Sequence, residues 1–387
     1  MVEEIDIHHS KKLYSNFIER INKVPEGQGK EILLKYVSWH EDQLTKKKMS
    51  HSSVLRSLQT AFRVVDAFPK PFDISQKQLE DWFETETKRN KLHRSGGDGV
   101  KEGTKQISLG TIQKEQSQLI KFLKFVEFLK LNKPLSLFNS KRIPIPLIAQ
   151  FCFSDTSKSK EVEPPLVSQD QIKEVIDYLL STGNYIDGVT GVLVSYLNDS
   201  GNRLSESLSL RHENLSQEEG YWLVQIQQSK TATRTNIVLL SKNYLSKWLA
   251  NCPTKNNKKG LIFCNKKGEP LSYALLRKSL TKALEKKGVK WKEYSSFHYL
   301  RHLAASRLYE MPQNLAEYYF GWSGKGMRAT YSAYNWKACL PYLLKANRGN
   351  PMMDSKLSYM EETKSQEEVM RSMINDAVNK YLAIQKN

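Results

Sequence analysis

The chain has 387 residues, 39% hydrophobic and 26% charged, the balance of an ordinary folded protein with room for two or three domains. Its formal net charge of +18 goes beyond what solubility needs and points to a polyanionic partner, nucleic acid ahead of a membrane surface, with a merely basic protein as the plain alternative. No run approaches the roughly twenty apolar residues of a membrane span, the opening MVEEIDIHHS is neither a signal peptide nor a presequence, and Cys152, Cys252, Cys264 and Cys339 lack the spacing of a zinc site or disulfide framework, so an intracellular chain with reduced cysteines is expected.

After a polar extension, residues 1–25, apolar side chains recur at helical spacing. GKEILLKYVSWHEDQLTKKKMS brings Ile32, Leu33, Tyr36, Val37, Trp39 and Leu44 together, and SSVLRSLQTAFRVVDAF continues with Val54, Leu55, Leu58, Phe62 and Val65. These predict two packed helices. ISQKQLEDWFE predicts another, and SLGTIQKEQSQLIKFLKFVEFLK a long one buried along Ile112, Leu119, Phe122, Leu123 and Val126. The section 26–153 is therefore expected to be all-α. Within it, KRNKLHRSGGDGVKEGTKQ is basic and glycine-rich but lacks the GK[ST] ending of a phosphate-cradling loop, which predicts a flexible loop, with phosphate contact by its Lys and Arg residues as the more specific alternative.

A polar run with Pro164 and Pro165 marks a linker at 154–165. Ser168 follows with Gln171 three residues on, a capping box that opens a new helix and a new domain, 166–350. Further helices lead to YWLVQIQQSKTATRTNIVLL, two β-prone runs around a polar turn that predict a hairpin, and helical patterns return from about Leu275. The fold class is thus mainly α with a small antiparallel β-sheet, an all-α N-terminal domain preceding a mixed α/β one. In the tail, 351–387, Met370, Met373, Ile374, Ala377, Tyr381 and Leu382 form the apolar stripe of a helix that needs a cover, on its own domain or on a partner.

Four segments carry side chains suited to chemistry. In DSGNRLSESLSLRHENL, Arg203 opens a helix whose Leu204 and Leu208 face a core; Lys230 sits at the hairpin tip; SSFHYLRHLAASRLYE sets His298, Arg301 and His302 on one helical face; and YYFGWSGKGMRATYSAYNW presents Trp322, Arg328, Tyr331 and Tyr334 around a glycine turn. Singly, each has an ordinary explanation as a surface arginine, a charged turn residue or packing aromatics. A zinc site at His298 and His302 is discounted because Tyr299 stands where an HExxH helix needs glutamate.

Taken in order, the four segments resemble the tyrosine recombinases, the family of phage and plasmid integrases and Xer-like resolvases. GNRLSE is similar to the first-arginine box, FHYLRH to the H-x-x-R-H box, and FGWSGKGMRATY to the glycine-led turn ahead of the nucleophile. More weakly, YVSWHEDQLTKKKMSHSSVLRSLQTAF and GTIQKEQSQLIKFLKFVEFL look like the helical core-binding domain, so the resemblance runs from about Gly29 to Lys345. Trp322 departs from the pattern, standing where the family usually has a third histidine, although some members carry tryptophan there. The resemblance implies a two-domain clamp on double-stranded DNA that cuts and rejoins through a covalent 3′-phosphotyrosine link with no metal, cofactor or ATP. Its implied catalytic set is Tyr331, Arg203, Lys230, His298, Arg301 and Trp322, with Glu206 and His302 in support, and the tail docking on a neighbouring protomer in a dimer or tetramer on DNA. Tyr331, nine positions after Trp322, has the family spacing and is preferred to Tyr334 as nucleophile.

Those residue types suit the chemistry independently. Attack on a phosphodiester loads negative charge onto two non-bridging oxygens, which planar guanidiniums grip in bidentate fashion, a task for Arg203 and Arg301. A phenol with a free pKa of about 10 needs help losing its proton, for which His298 is placed, and the departing sugar oxygen needs a proton, the role the family implies for Lys230. The indole N–H of Trp322 is a donor for a phosphate oxygen. Lys46, Lys47, Lys48, Arg89, Arg94 and Arg234 are expected to neutralise DNA phosphates. A type IB topoisomerase and a non-catalytic DNA-binding protein of the same fold are the competing expectations.

Overall fold

A computed structural model describes residues 10–46, 49–88, 90–94, 100–106, 109–153, 167–218, 220–227, 233–290, 296–322 and 336–353. The chain divides into two units, one spanning His9–Val162 and the other beginning at Glu163, each with its own hydrophobic core.

The first unit is built from α1 (Ser10–Asn22), α2 (Gln28–Thr45), α3 (His51–Ala67), α4 (Gln76–Lys88) and α5 (Leu109–Lys130). The 3.6-residue periodicity converges Leu33, Tyr36, Val54, Leu58, Leu119 and Phe122 on one core, all fully buried. Burying Tyr36 also buries its hydroxyl, which is satisfied by the Ser57 Oγ at 2.8 Å. Helix α1 lies in the stretch expected to be a polar extension: Ile21 is buried, and Tyr14, Phe17 and Ile18 pack beside it. Its charged residues lower the average hydropathy and hide a stripe that only α3 completes.

The basic glycine-rich segment differs from the expected loop and adds a ribbon to the helical section. Two antiparallel strands, β1 (Asn90–Arg94) and β2 (Val100–Gln106), pair Leu92 with Glu102 and Arg94 with Val100. Such pairing uses backbone groups, so it leaves little trace where neither face alternates apolar residues.

In the second unit, α6 (Gln169–Ser181) opens on the expected capping box: the Gln171 N–H donates to Ser168 Oγ at 3.2 Å and the Ser168 N–H to Gln171 Oε1 at 3.0 Å. Next comes α7 (Tyr185–Ser200), apolar nearly all round and buried from Val189 onward, which makes it the central strut. The short α8 (Leu204–Leu208) leads into a three-stranded antiparallel sheet, β3 (Leu215–Glu218), β4 (Tyr221–Ile226) and β5 (Arg234–Val238), in the order β3-β4-β5. Four further helices, α9 (Lys242–Asn251), α10 (Tyr273–Lys286), α11 (Ser296–Arg307) and α12 (Gln313–Phe320), precede α13 (Leu340–Ala346).

Edge strand β3 is largely exposed, whereas β4 and β5 bury side chains on both faces, and their two-residue period sorts these between two cores. Val224, Ile226 and Val238 join the core around α7, whereas Leu223 and Ile237 join a smaller one with Leu315, Tyr319 and Phe320 of α12. Arg234 and Asn236 alternate with Val238 and are buried with it, so this strand commits two polar side chains to the interior. At the root of the tail, Met352 is buried in the larger core and the Asn350 Nδ2 donates to Gln169 Oε1 at 3.3 Å. The tail helix expected beyond it lies outside the described residues. Among the described residues no helix is long and apolar enough to cross a membrane.

Candidate active site

The site is organised by the C-terminal end of α12. Gly321 ends the helix at φ 60°, a left-handed conformation that glycine adopts without Cβ strain. Its N–H donates to Tyr318 O at 3.2 Å, and the Trp322 N–H to Glu317 O at 3.0 Å. That closure leaves the next carbonyls, Tyr319, Phe320 and Gly321, at the negative end of the helix dipole in need of donors. Three arginines from three separate elements take them in succession. Arg234 of β5 donates its Nε to Tyr319 O at 2.9 Å, Arg301 of α11 its Nη2 to Phe320 O at 2.6 Å, and Arg203 its Nη2 to Gly321 O at 3.1 Å.

A second set of contacts ties the row to the end of α7. Helix α7 stops at Gly201, φ 60°, whose carbonyl accepts from Arg301 Nη1 at 2.7 Å. Asn202 accepts from Arg234 Nη2 at 2.8 Å and from Asn236 Nδ2 at 2.9 Å through its Oδ1. Arg203 then opens α8, with Glu206 reaching back to it: the Arg203 N–H donates to Oε2 at 2.9 Å and Nη1 to Oε1 at 2.8 Å. The same Oε2 accepts from Arg234 Nη2 at 2.8 Å.

Among the described residues one carboxylate therefore sits among three guanidiniums. Burial by itself would raise the Glu206 carboxyl, but hydrogen bonds and charge from Arg234, then those from Arg203, outweigh it and hold it at about 2. Arg301 is lowered to about 10 by burial and next by the Arg203 charge, and it stays cationic at neutral pH. Exposure separates their roles: the Arg203 side chain is 27% exposed, whereas those of Arg234 and Glu206 are at 1% and 2%. Arg234, expected among the phosphate contacts, is thus corrected to a buried brace, because its guanidinium is committed to Glu206, Asn202 and Tyr319 O.

His298 lies on the exposed side of α11, with the His302 ring edge-on at 4.8 Å. Partial burial, followed by His302, Arg301 and Arg203, lowers its imidazole below the ordinary value, so it is neutral at neutral pH and able to accept a proton. Trp322 is 39% exposed and stacks on Phe320 at 4.8 Å and 23°, with the Arg301 guanidinium 6.0 Å from its ring centre. Arg203, Glu206, Arg301 and Trp322 are therefore brought together, with His298 three residues before Arg301 on α11 and His302 directly after it. Lys230, Arg328, Tyr331, Tyr334, Lys47, Lys48 and Arg89 lie outside the described residues, and Arg94 stands at the end of β1. Lys46 is exposed and pairs with Asp42 at 2.8 Å, a link worth about 0–1 kcal/mol that a phosphate can displace. Among the described residues no group of three or more His, Cys, Asp or Glu side chains is placed to hold a metal ion.

Asn202, Asn236 and Gly201 escaped the sequence reading. Gly201 had a usable signal, a glycine directly after an apolar helix. A Cβ there would lie 2.4 Å from a Phe320 ring carbon and 3.1 Å from the Ala304 Cβ. Gly201→Ala is therefore expected to cost at least about 1–2 kcal/mol from the left-handed backbone alone and to push Phe320 and its Arg301 carbonyl out of place. The urea unfolding midpoint should fall accordingly; an unchanged midpoint would contradict the packing described.

An α/β unit whose first arginine follows a central helix, whose H-x-x-R helix supplies the second and whose third element ends in a glycine-tryptophan turn resembles a tyrosine recombinase catalytic domain. Residues 166–337 match the phage integrase family. That match covers 172 of the 387 residues, all within the second unit. The chain is 23% identical over 154 residues to the tyrosine recombinase XerH of Campylobacter jejuni, covering 39% of this chain and 43% of that protein. With the tyrosine recombinase XerH of Helicobacter pylori it shares 24% identity over 210 residues, 47% of this chain and 57% of the relative, so the matches span about half the length of these relatives. In fold it is similar to a crystal structure of the XerH site-specific recombinase bound to difH substrate in a pre-cleavage complex, with a TM-score of 0.50 and 16% identity over 84% of this chain and 93% of that one.

Proposed function

We propose that the protein is a site-specific DNA recombinase of the integrase type, cutting and rejoining duplex DNA through a 3′-phosphotyrosyl intermediate without metal or ATP. The observation that carries this reading is the arginine row: three guanidiniums against one carboxylate, held rigidly on backbone carbonyls, with Arg203 partly open to a ligand. A phosphodiester brings one negative charge and an attacking phenolate a second, suiting a row in which guanidiniums outnumber carboxylates among the described residues. In this scheme the Tyr331 oxygen attacks phosphorus, giving its proton up with help from His298. The bond to the 5′ oxygen breaks, and that oxygen takes a proton from Lys230. The reverse sequence rejoins the strand, since the phosphotyrosyl link conserves the bond. Glu206 and His302 serve in support, and Trp322 offers its indole N–H to a phosphate oxygen.

Double-stranded DNA is the partner this reading requires. Assembly of two or four protomers on it accords with the DNA-bound XerH, lambda integrase dimer and lambda integrase tetramer structures to which the fold is similar, and the tail is the segment proposed to bridge neighbours. The deciding experiment incubates the protein with nicked duplexes and with supercoiled plasmid lacking any recombination site. Covalent adducts on a particular sequence with little relaxation support the reading. Robust relaxation of any plasmid favours a type IB topoisomerase, and binding without adducts favours a non-catalytic regulator.

Binding is expected to be strongly salt-dependent, with Lys46, Lys47, Lys48, Arg89 and Arg94 adding to the site arginines as phosphate neutralisers. With about six phosphates engaged, affinity should fall about a thousandfold between about 50 and 200 mM salt. Fluorescence anisotropy across that range measures the slope, and a flat log–log plot would refute the electrostatic footprint.

A further inference from the structure

We infer that Arg234 is a positioning residue for strand cleavage, holding Glu206 as an ionised brace so that Arg203 keeps the arrangement in which it grips a phosphate. The inference deepens the recombinase reading and rests on it for its catalytic consequence. Three observations carry it.

First, Arg234 makes no use of its position as a surface strand residue. It begins β5 opposite Ile226, yet its side chain is turned into the interior at 1% exposure. Burying a guanidinium is costly unless its donors are met, and here they are met by groups that also define the site: Tyr319 O, Asn202 Oδ1 and Glu206 Oε2. Second, Glu206 is shared. Its Oε1 meets Arg203 Nη1 and its Oε2 meets both the Arg203 N–H and Arg234 Nη2, so the carboxylate transmits any displacement of Arg234 to Arg203. Third, the carbonyl row fixes register. Arg234, Arg301 and Arg203 occupy Tyr319, Phe320 and Gly321 in turn, so Arg234 also holds the α12 terminus against which the other two are set.

The charged and titratable groups that face Glu206 are Arg203, Arg234 and Arg301, with Tyr196 of α7 behind them. Of these, Arg234 contributes most to keeping the carboxyl ionised against its burial. Without it, the carboxyl rises toward the mildly acidic range, and in the protonated form it loses its hold on Arg203. A brace that merely stabilised the fold would lower activity equally at every pH. A brace acting through Glu206 makes cleavage fall as the medium becomes acidic enough to protonate that residue.

The test compares wild type, Arg234→Lys, Arg234→Met and the double variant Arg234→Met with Glu206→Gln, the last removing both charges so that no buried ion is left unpaired. Two measurements are made on the full chain. The Glu206 carboxyl is titrated by carbon-13 NMR without DNA, the Gln variant assigning its signal, and single-turnover adduct formation on nicked duplex is followed from pH 5 to 8. The expected results are a raised Glu206 titration in Arg234→Met and a rate loss of about a hundredfold, the scale of a misplacement of about 1 Å. That loss should deepen with acidity and lose its acid limb in the double variant. Arg234→Lys keeps the charge but not the fork, so it should restore ionisation of Glu206 more fully than it restores rate. A Glu206 titration unmoved in Arg234→Met overturns the inference, as does a cleavage profile in that variant parallel to wild type. Should wild type itself form no adduct, the recombinase reading fails, and the DNA-free titration still decides whether Arg234 holds Glu206.

Discussion

Tyr331→Phe is expected to bind DNA as tightly as the wild type and to form no covalent adduct, a loss of at least about 10⁴-fold, the scale seen when a nucleophile is removed. Only the phenolic oxygen is deleted, so the phosphate contacts proposed for the basic surface are untouched. Tyr334→Phe is the control that gives the result meaning. The two residues are three apart, and in a helix that spacing displaces the second hydroxyl by about 4.5 Å along the axis, whereas an attacking oxygen must come within roughly 3.5 Å of phosphorus. One site geometry therefore serves one of them. Trapping on nicked duplex separates the cases: adducts surviving in Tyr331→Phe and vanishing in Tyr334→Phe would transfer the nucleophile to Tyr334.

The second large effect distinguishes two arginines to which the proposed reaction gives like tasks. Arg203→Ala and Arg301→Ala should each slow adduct formation by about 10²–10³-fold, the usual consequence of deleting a donor aimed at developing negative charge. Their stabilities should differ. Arg203 is 27% exposed, and its loss leaves Glu206 still paired with Arg234, so the thermal midpoint should move little. Arg301 is 4% exposed and satisfies the carbonyls of Gly201 and Phe320. Removing it leaves both unpaired in the interior at about 1–3 kcal/mol each, a midpoint drop of roughly 4–24 °C for a unit of this size. Calorimetry alongside the kinetic assay checks the contrast, and equal midpoints would contradict the burial assigned to Arg301.

Much of this protein is determined by sequence-local physics. The apolar periodicity from Ile32 to Val126 specifies α2, α3 and α5, because a helix face is a property of residues three and four apart. Ser168 and Gln171 determine the start of α6 for the same reason, since a capping box closes within one turn. The spacing of His298, Arg301 and His302 places them on adjoining positions of one helix whatever surrounds it. The β1–β2 ribbon and α1 were not legible, the first because backbone pairing needs no side-chain pattern, the second because its apolar stripe is interrupted by charge and completed only by α3.

What the tertiary structure decided is the convergence of the site. Arg203, Arg234 and Arg301 come from a helix entry, a strand and a second helix, and they meet on the carbonyls of residues 319–321. Nothing in the identities of Tyr319, Phe320 and Gly321 announces that role, since every residue carries the same carbonyl and only the helix end exposes it. The sequence placed Arg234 on a DNA-facing hairpin; the packing of β5 against α7 and α12 turned it inward. Side-chain chemistry is written in the sequence, but which backbone acceptor and which buried carboxylate a long cationic side chain reaches is set by elements far apart in the chain.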